Sequence, residues 1–127
     1  MDIQHGSWGE RIRTYRCDNA LVTILYLRPN KRCSWHSHKT CFNQFFVVTG
    51  KLGIKTDIGP YGQRQITKIG PMQAFTVNPG VTHEFQTYDE PTIIEEVAYV
   101  KYDPSDIFRE QLGGDLGYYS SAEGEPS

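Results

Sequence analysis

"CSWHSHKTCFNQFFVVTGKL", residues 33–52, decides how this chain is read. His36 and His38 flank a single serine, so on an extended backbone both imidazoles leave the same face. The run that follows is apolar on both faces, with Phe45 and Val47 on one side and Phe46 and Val48 on the other. By the same alternation Asn43 shares the face of Phe45 and Val47, and Gln44 takes the opposite one. A strand with two apolar faces predicts a cover on its outer side, either a terminal segment or a second copy of the chain. A homodimer is the expectation.

Outward from this stretch the chain breaks into short runs rich in β-branched and aromatic residues. They span 19–28, 43–50, 51–57, 63–70, 73–80, 83–89 and 92–102, and are separated by Gly, Pro, Asn and Asp. Many short strands with turn residues between them predict an all-β sandwich or barrel. Only "DPSDIFREQL", 103–112, reads as helical, with Ser105 as N-cap and Gly113 as the stop. A single domain is thus expected over 1–112, followed by a polar tail at 113–127 that is expected to be partly mobile.

Composition narrows the function classes. A chain of 127 residues is about one domain. A formal charge of -2 offers no long-range attraction for phosphate backbones or anionic lipid, so neither nucleic acid nor membrane is an expected partner. No segment approaches the ~20 apolar residues of a membrane helix. The opening "MDIQHGSWGERIRTY" lacks the apolar stretch of a secretion signal. Three cysteines, Cys17, Cys33 and Cys41, therefore read as reduced thiols, and the expected location is the cytoplasm.

The chemistry lies in the histidines. A third, His83, follows the turn sequence "NPGVTH" and could reach the first two from another strand. Three imidazoles inside a barrel suit zinc, iron, copper or nickel. His5 sits in a polar N-terminal stretch and is left out of the site. Cys33, His36, His38 and Cys41 offer another grouping, C-x2-H-x-H-x2-C. Structural zinc sites usually draw paired ligands from two separated segments, however, and four on one short run would have to coil against the strand that follows. The cysteines read better as small buried hydrophobes, with Cys41 an outside candidate for a ligand.

Here the residues resemble a known family. "SWHSHKTCFNQFFVVTGKL" is similar to the first cupin motif, H-x-H followed by Glu and a hydrophobic strand, and "FTVNPGVTHEF" to the second, P-x-G-x-x-H. The resemblance implies a double-stranded β-helix, or jelly-roll barrel, with His36, His38 and His83 as metal ligands for zinc, manganese, iron or nickel. "IIEEVAYVKYDPSDIFRE" resembles, more loosely, the sugar-processing branch of type II phosphomannose isomerases. Three departures stand out. Asn30 replaces the usual opening glycine, a small change because Asn tolerates the left-handed region. Pro79 is displaced by one, with Asn78 in its place. Asn43 occupies the position of the glutamate, so a site of three imidazoles and an amide keeps the ion's full charge and favours an anionic ligand.

A carboxylate for proton transfer must then come from elsewhere. Glu95 and Glu96 are adjacent in the last strand, so a regular strand turns one of them inward as a candidate base. Tyr26 and Gln86 are weaker inward candidates, as are Lys101 and Tyr102. The expected function is a metal-binding cupin enzyme acting on a small polar substrate such as a sugar or sugar phosphate, in the manner of an isomerase or epimerase. Two other readings fit the same residues: a three-histidine iron dioxygenase, which the ligand set resembles, and a non-catalytic cupin that holds a small-molecule ligand.

Overall fold

The computed structural model describes residues 2–100 and Ser105. Nine strands form two antiparallel sheets: β1 (Asp2–Gly6), β2 (Gly9–Arg16), β3 (Ala20–Leu27), β4 (Phe42–Thr49), β5 (Leu52–Asp57), β6 (Arg64–Ile69), β7 (Ala74–Val77), β8 (His83–Thr87) and β9 (Thr92–Tyr99). The larger sheet runs β1-β2-β3-β9-β4-β7 and the smaller β6-β5-β8. No helix occurs among the described residues; the helical segment expected at 103–112 and the tail beyond it lie outside them, Ser105 excepted.

The core forms where the inward faces of the two sheets meet. Leu25, Leu27, Phe45, Val47, Val77 and Ile94 come from the larger sheet, and Leu52, Ile54, Ile69 and Phe85 from the smaller. The alternation expected of β4 holds: Asn43, Phe45 and Val47 are 4%, 1% and 0% exposed. Of the outward pair, Phe46 is half-buried and Val48 is exposed, so among the described residues neither has a complete cover. A bulge between Val47 and Thr49 in the pairing of β4 with β9 ends the regular alternation there.

Seven strands follow the hydrophobic pattern of the sequence, and two do not. The N-terminal stretch, read as merely polar, forms the hairpin β1–β2, in which Ile3 pairs with Ile12 and Gly6 with Gly9. Its faces are dominated by charged residues, so the signal of apolar alternation is weak there. Gly9 is the residue that permits the hairpin to dock. It sits at φ +147°, and a Cβ there would run into the Tyr26 carbonyl oxygen of β3. This hairpin extends the larger sheet and walls one side of the barrel mouth.

Candidate metal centre

Backbone pairing brings the two histidine-bearing segments together. His36 and His83 form an antiparallel bridge in which each N–H donates to the other's carbonyl, at 3.0 and 2.8 Å. His38 is fixed beside them because its carbonyl accepts from the Gly80 N–H at 2.7 Å. The turn that makes this possible is Asn78-Pro79-Gly80-Val81, closed by Val81 N–H to Asn78 O at 3.3 Å. Pro79 at its second position and Gly80 at φ 85° give it the residue pattern of a type II turn, which accounts locally for the displaced proline. At the other end of the segment Asn30 adopts φ 56°, the left-handed conformation in which Asn replaces Gly at little cost.

The result is a cluster of His36, His38 and His83 whose ligand atoms all lie within 4.8 Å of one another, compact enough for one metal ion to be bound by all three. Ring centroids are 4.5 Å apart for His36 and His83, 5.0 Å for His36 and His38, and 5.5 Å for His38 and His83. Neighbouring acceptors set the ring orientations. His36 Nδ1 lies 2.8 Å from the Ser34 carbonyl and 3.0 Å from its hydroxyl, and His83 Nδ1 lies 3.0 Å from the Val81 carbonyl. Donation from Nδ1 to a carbonyl leaves Nε2 as the lone-pair nitrogen, the arrangement usual for metal-binding imidazoles. Burial, and to a lesser degree the other imidazoles, holds the pKa of His83 and of His38 below the ordinary 6.5. Both rings are thereby kept neutral, as a metal ligand must be.

Two orphaned atoms test whether these residues fit an ion. His83 Nε2 and Asn43 Oδ1 are buried and have no hydrogen-bond partner. An unsatisfied buried polar group costs roughly 1–3 kcal/mol, and here a ring lone pair and an amide oxygen are acceptors of the type a cation satisfies. His36, His38 and Asn43 line one cavity of about 820 Å³. The residues present therefore fit a divalent transition metal, with the three imidazoles as ligands and the unsatisfied Asn43 oxygen in the same cavity as a candidate fourth.

The remaining sequence candidates separate cleanly. Glu96 lines the same cavity and Glu95 does not; Glu95 pairs across β4 with Phe46, on the outer face. Burial raises the Glu96 pKa, partly opposed by His36 and Arg11. Tyr26 is 43% exposed, and Gln86 pairs opposite Gly53 and hydrogen-bonds Tyr88 on the outer face of the smaller sheet; neither belongs to the site. Lys101 and Tyr102 lie outside the described residues. The four-ligand run of cysteines and histidines does not assemble: Cys41 opens onto a different cavity, beside Cys17. Cys33 borders the histidine cavity, but its sulfur accepts from Phe85 N–H at 3.1 Å, and burial pushes the thiol up to about 11. All three cysteines are free thiols but not the buried hydrophobes expected, since Cys17 is exposed and Cys33 and Cys41 are half-buried.

Sequence reasoning missed the wall supplied by the N-terminal hairpin: Ser7, Trp8 and Arg11 line the cavity. Trp8 packs edge-on against Phe85 with centroids 6.5 Å apart, joining the hairpin to β8. The legible signal was the "GSWG" turn at 6–9, whose two glycines mark a tight reversal.

No protein-family model and no curated protein matches this sequence. Solved structures do match. KdgF from Halomonas sp. superposes with a TM-score of 0.66 at 14% identity, over 81% of this chain and 89% of that one. An RmlC-like cupin from Shewanella frigidimarina gives 0.64 at 16%, over 79% and 84%. CapF from Staphylococcus aureus, a capsular polysaccharide assembling protein, gives 0.70 at 17%, over 82% of this chain and 30% of that larger one. Two antiparallel sheets, a three-histidine cluster and these superpositions lead to one conclusion: the described residues have the fold of a small cupin.

Proposed function

We propose that this chain is a metal-dependent enzyme acting on a small polar substrate such as a sugar or sugar phosphate, in the manner of an isomerase or epimerase. The observation that carries the reading is the pair of orphaned atoms, His83 Nε2 and Asn43 Oδ1, in a histidine cluster whose cavity Glu96 also lines. His36, His38 and His83 would hold the ion, which when bound supplies polarisation of a substrate carbonyl or hydroxyl. Glu96 is the proton carrier. Its raised pKa brings it nearer to neutral pH, where a carboxylate both takes and returns a proton. CapF, a polysaccharide assembling protein, shares the fold, which is compatible with carbohydrate chemistry here. Free thiols suit a cytoplasmic setting.

The test is hydrogen exchange. Zinc- and manganese-loaded protein is incubated in D2O with aldose and ketose phosphates, and deuterium at the carbon next to the carbonyl is followed by NMR. Exchange is expected in the wild type and lost in Glu96→Gln with the metal retained. Absence of exchange across the panel contradicts the proposal.

A second reading is favoured by one feature, a cluster with three histidines and no carboxylate, which also suits an iron dioxygenase. Iron in the purified protein with substrate-dependent oxygen uptake would select it. Metal binding with neither exchange nor oxygen uptake would select a non-catalytic binding protein.

A further inference from the structure

Arg11 is a charge at the cavity wall that has no carboxylate partner among the described residues. It lies in β2 opposite Leu25, on the side of the sheet that faces the barrel interior. Its Nη2 donates to Gln4 Oε1, and its guanidinium carbon sits 5.9 Å from the Trp8 ring centroid, so the side chain is braced on both sides by the hairpin. Its Nε is buried and has no hydrogen-bond partner. Arg13 pairs with Asp2 at 3.4 Å, Arg28 with Glu10 at 3.0 Å and Arg32 with Glu84 at 3.4 Å, and Arg16 and Arg64 do not border this cavity. Among the described residues Arg11 has no such ion pair.

The charge balance of the cavity points the same way. Arg11 and Lys31 border it against the single carboxylate of Glu96, with Arg32 at its edge already paired to Glu84, in a chain whose net charge is -2. Three neutral imidazoles and an amide leave any bound divalent ion uncompensated as well. A guanidinium that is braced, partly desolvated and short of acceptors is suited to a planar or tetrahedral oxyanion, which it can grip through two parallel N–H donors.

We infer that Arg11 is the specificity-determining residue for an anionic substrate, a sugar-sized molecule whose carboxylate or phosphate docks on the guanidinium while its reacting end reaches the histidine cluster. This deepens the enzyme reading above and rests on the same cavity. A volume of about 820 Å³ accommodates a ligand of that size.

The experiment is calorimetric titration of untagged protein, zinc-loaded and metal-free, with glucose 6-phosphate, glucuronate and glucose. At least one anion is expected to bind at least ~10-fold more tightly than glucose, and the stronger of the two identifies the group as phosphate or carboxylate. Arg11→Gln should weaken that anion by at least ~10-fold, in line with losing a charged hydrogen bond, while zinc affinity and glucose binding stay within about twofold. Arg11→Lys, which keeps charge without the fork and guards against misfolding of the first variant, should fall between the two. A purely structural Arg11 would weaken all three ligands alike. Anions binding no better than glucose, or both variants binding them as the wild type does, would overturn the inference. Failure of the metal reading shows separately, as absent zinc binding in the wild type; the preference of metal-free protein for anions still tests Arg11.

Discussion

Asn43 is the residue on which the site turns. It is 4% exposed, shares its face with Phe45 and Val47, lines the histidine cavity and carries an unsatisfied buried oxygen. Asn43→Glu would place a negative charge beside the ion. A unit charge at ~4 Å is worth about 4 kcal/mol at an intermediate effective dielectric, before desolvation is subtracted. Zinc affinity, read by competition with a chelator, should therefore rise by at least roughly tenfold. Unchanged affinity in a folded variant would mean that position 43 does not address the metal. The pH response follows from His38 and His83, whose pKa values burial lowers from 6.5. Folded, they stay neutral where the unfolded chain already takes up protons. Zinc binding should thus hold from neutral pH down through 6.5 and weaken below it, and metal-free protein should lose stability as pH falls from 6.5 toward the lower folded values. Chelator competition and thermal melts across that range check both. The histidines and Asn43 were legible because strand parity fixes faces without knowledge of partners. Glu96 could be told from Glu95 only once the register of β9 against β4 was known, since adjacent positions differ by face alone.

At the scale of elements, β8 is a strand buried on both sides, and this is how His83 is held. His83 is 1% exposed on the face of the histidine cluster, and the next residue, Glu84, is 2% exposed on the opposite face. Glu84 is neutralised there by Lys55 Nζ at 3.0 Å and by Arg32 at 3.4 Å. Lys55 and Arg64 in turn lie over the Trp35 ring, 5.3 and 4.5 Å from its centroid. Removing the nearer cation leaves a buried carboxylate with one long, exposed partner. Lys55→Met should lower stability by about 3 kcal/mol, the lower end of the range for breaking a buried pair. Chemical denaturation measures it, and a loss under about 1 kcal/mol would show that the buried carboxylate does not depend on Lys55. Glu84→Gln in the same background should recover most of the loss. This layer was not legible in the sequence. Glu84 reads there as an ordinary surface charge on a strand, and its burial depends on Lys55 and Trp35 arriving from other segments. The hairpin β1–β2 was missed for a related reason, because its stability comes from docking through Gly9 rather than from an apolar stripe of its own.

At the scale of the whole molecule, two sheets enclose a core that the hydrophobic alternation of seven strands announced, and leave part of the outer face of β4 in water. Val48 is 42% exposed. A second copy packing over Phe46 and Val48 would remove that apolar surface, and sedimentation should find a dimer that Phe46→Lys dissociates. A monomer at all concentrations would contradict it. None of the helices among the described residues is long and apolar enough to cross a membrane, for there are none. A metal held by His36, His38 and His83 is open to one direct test. Untagged protein purified without added metal is analysed for its elements, beside His36→Ala and His83→Ala variants treated identically. The expected result is close to one transition-metal ion per chain in the wild type and a large fraction of that lost in each variant. A wild type without metal that also fails to take up zinc, manganese or iron(II) on titration, or variants that retain the full complement, would contradict the account.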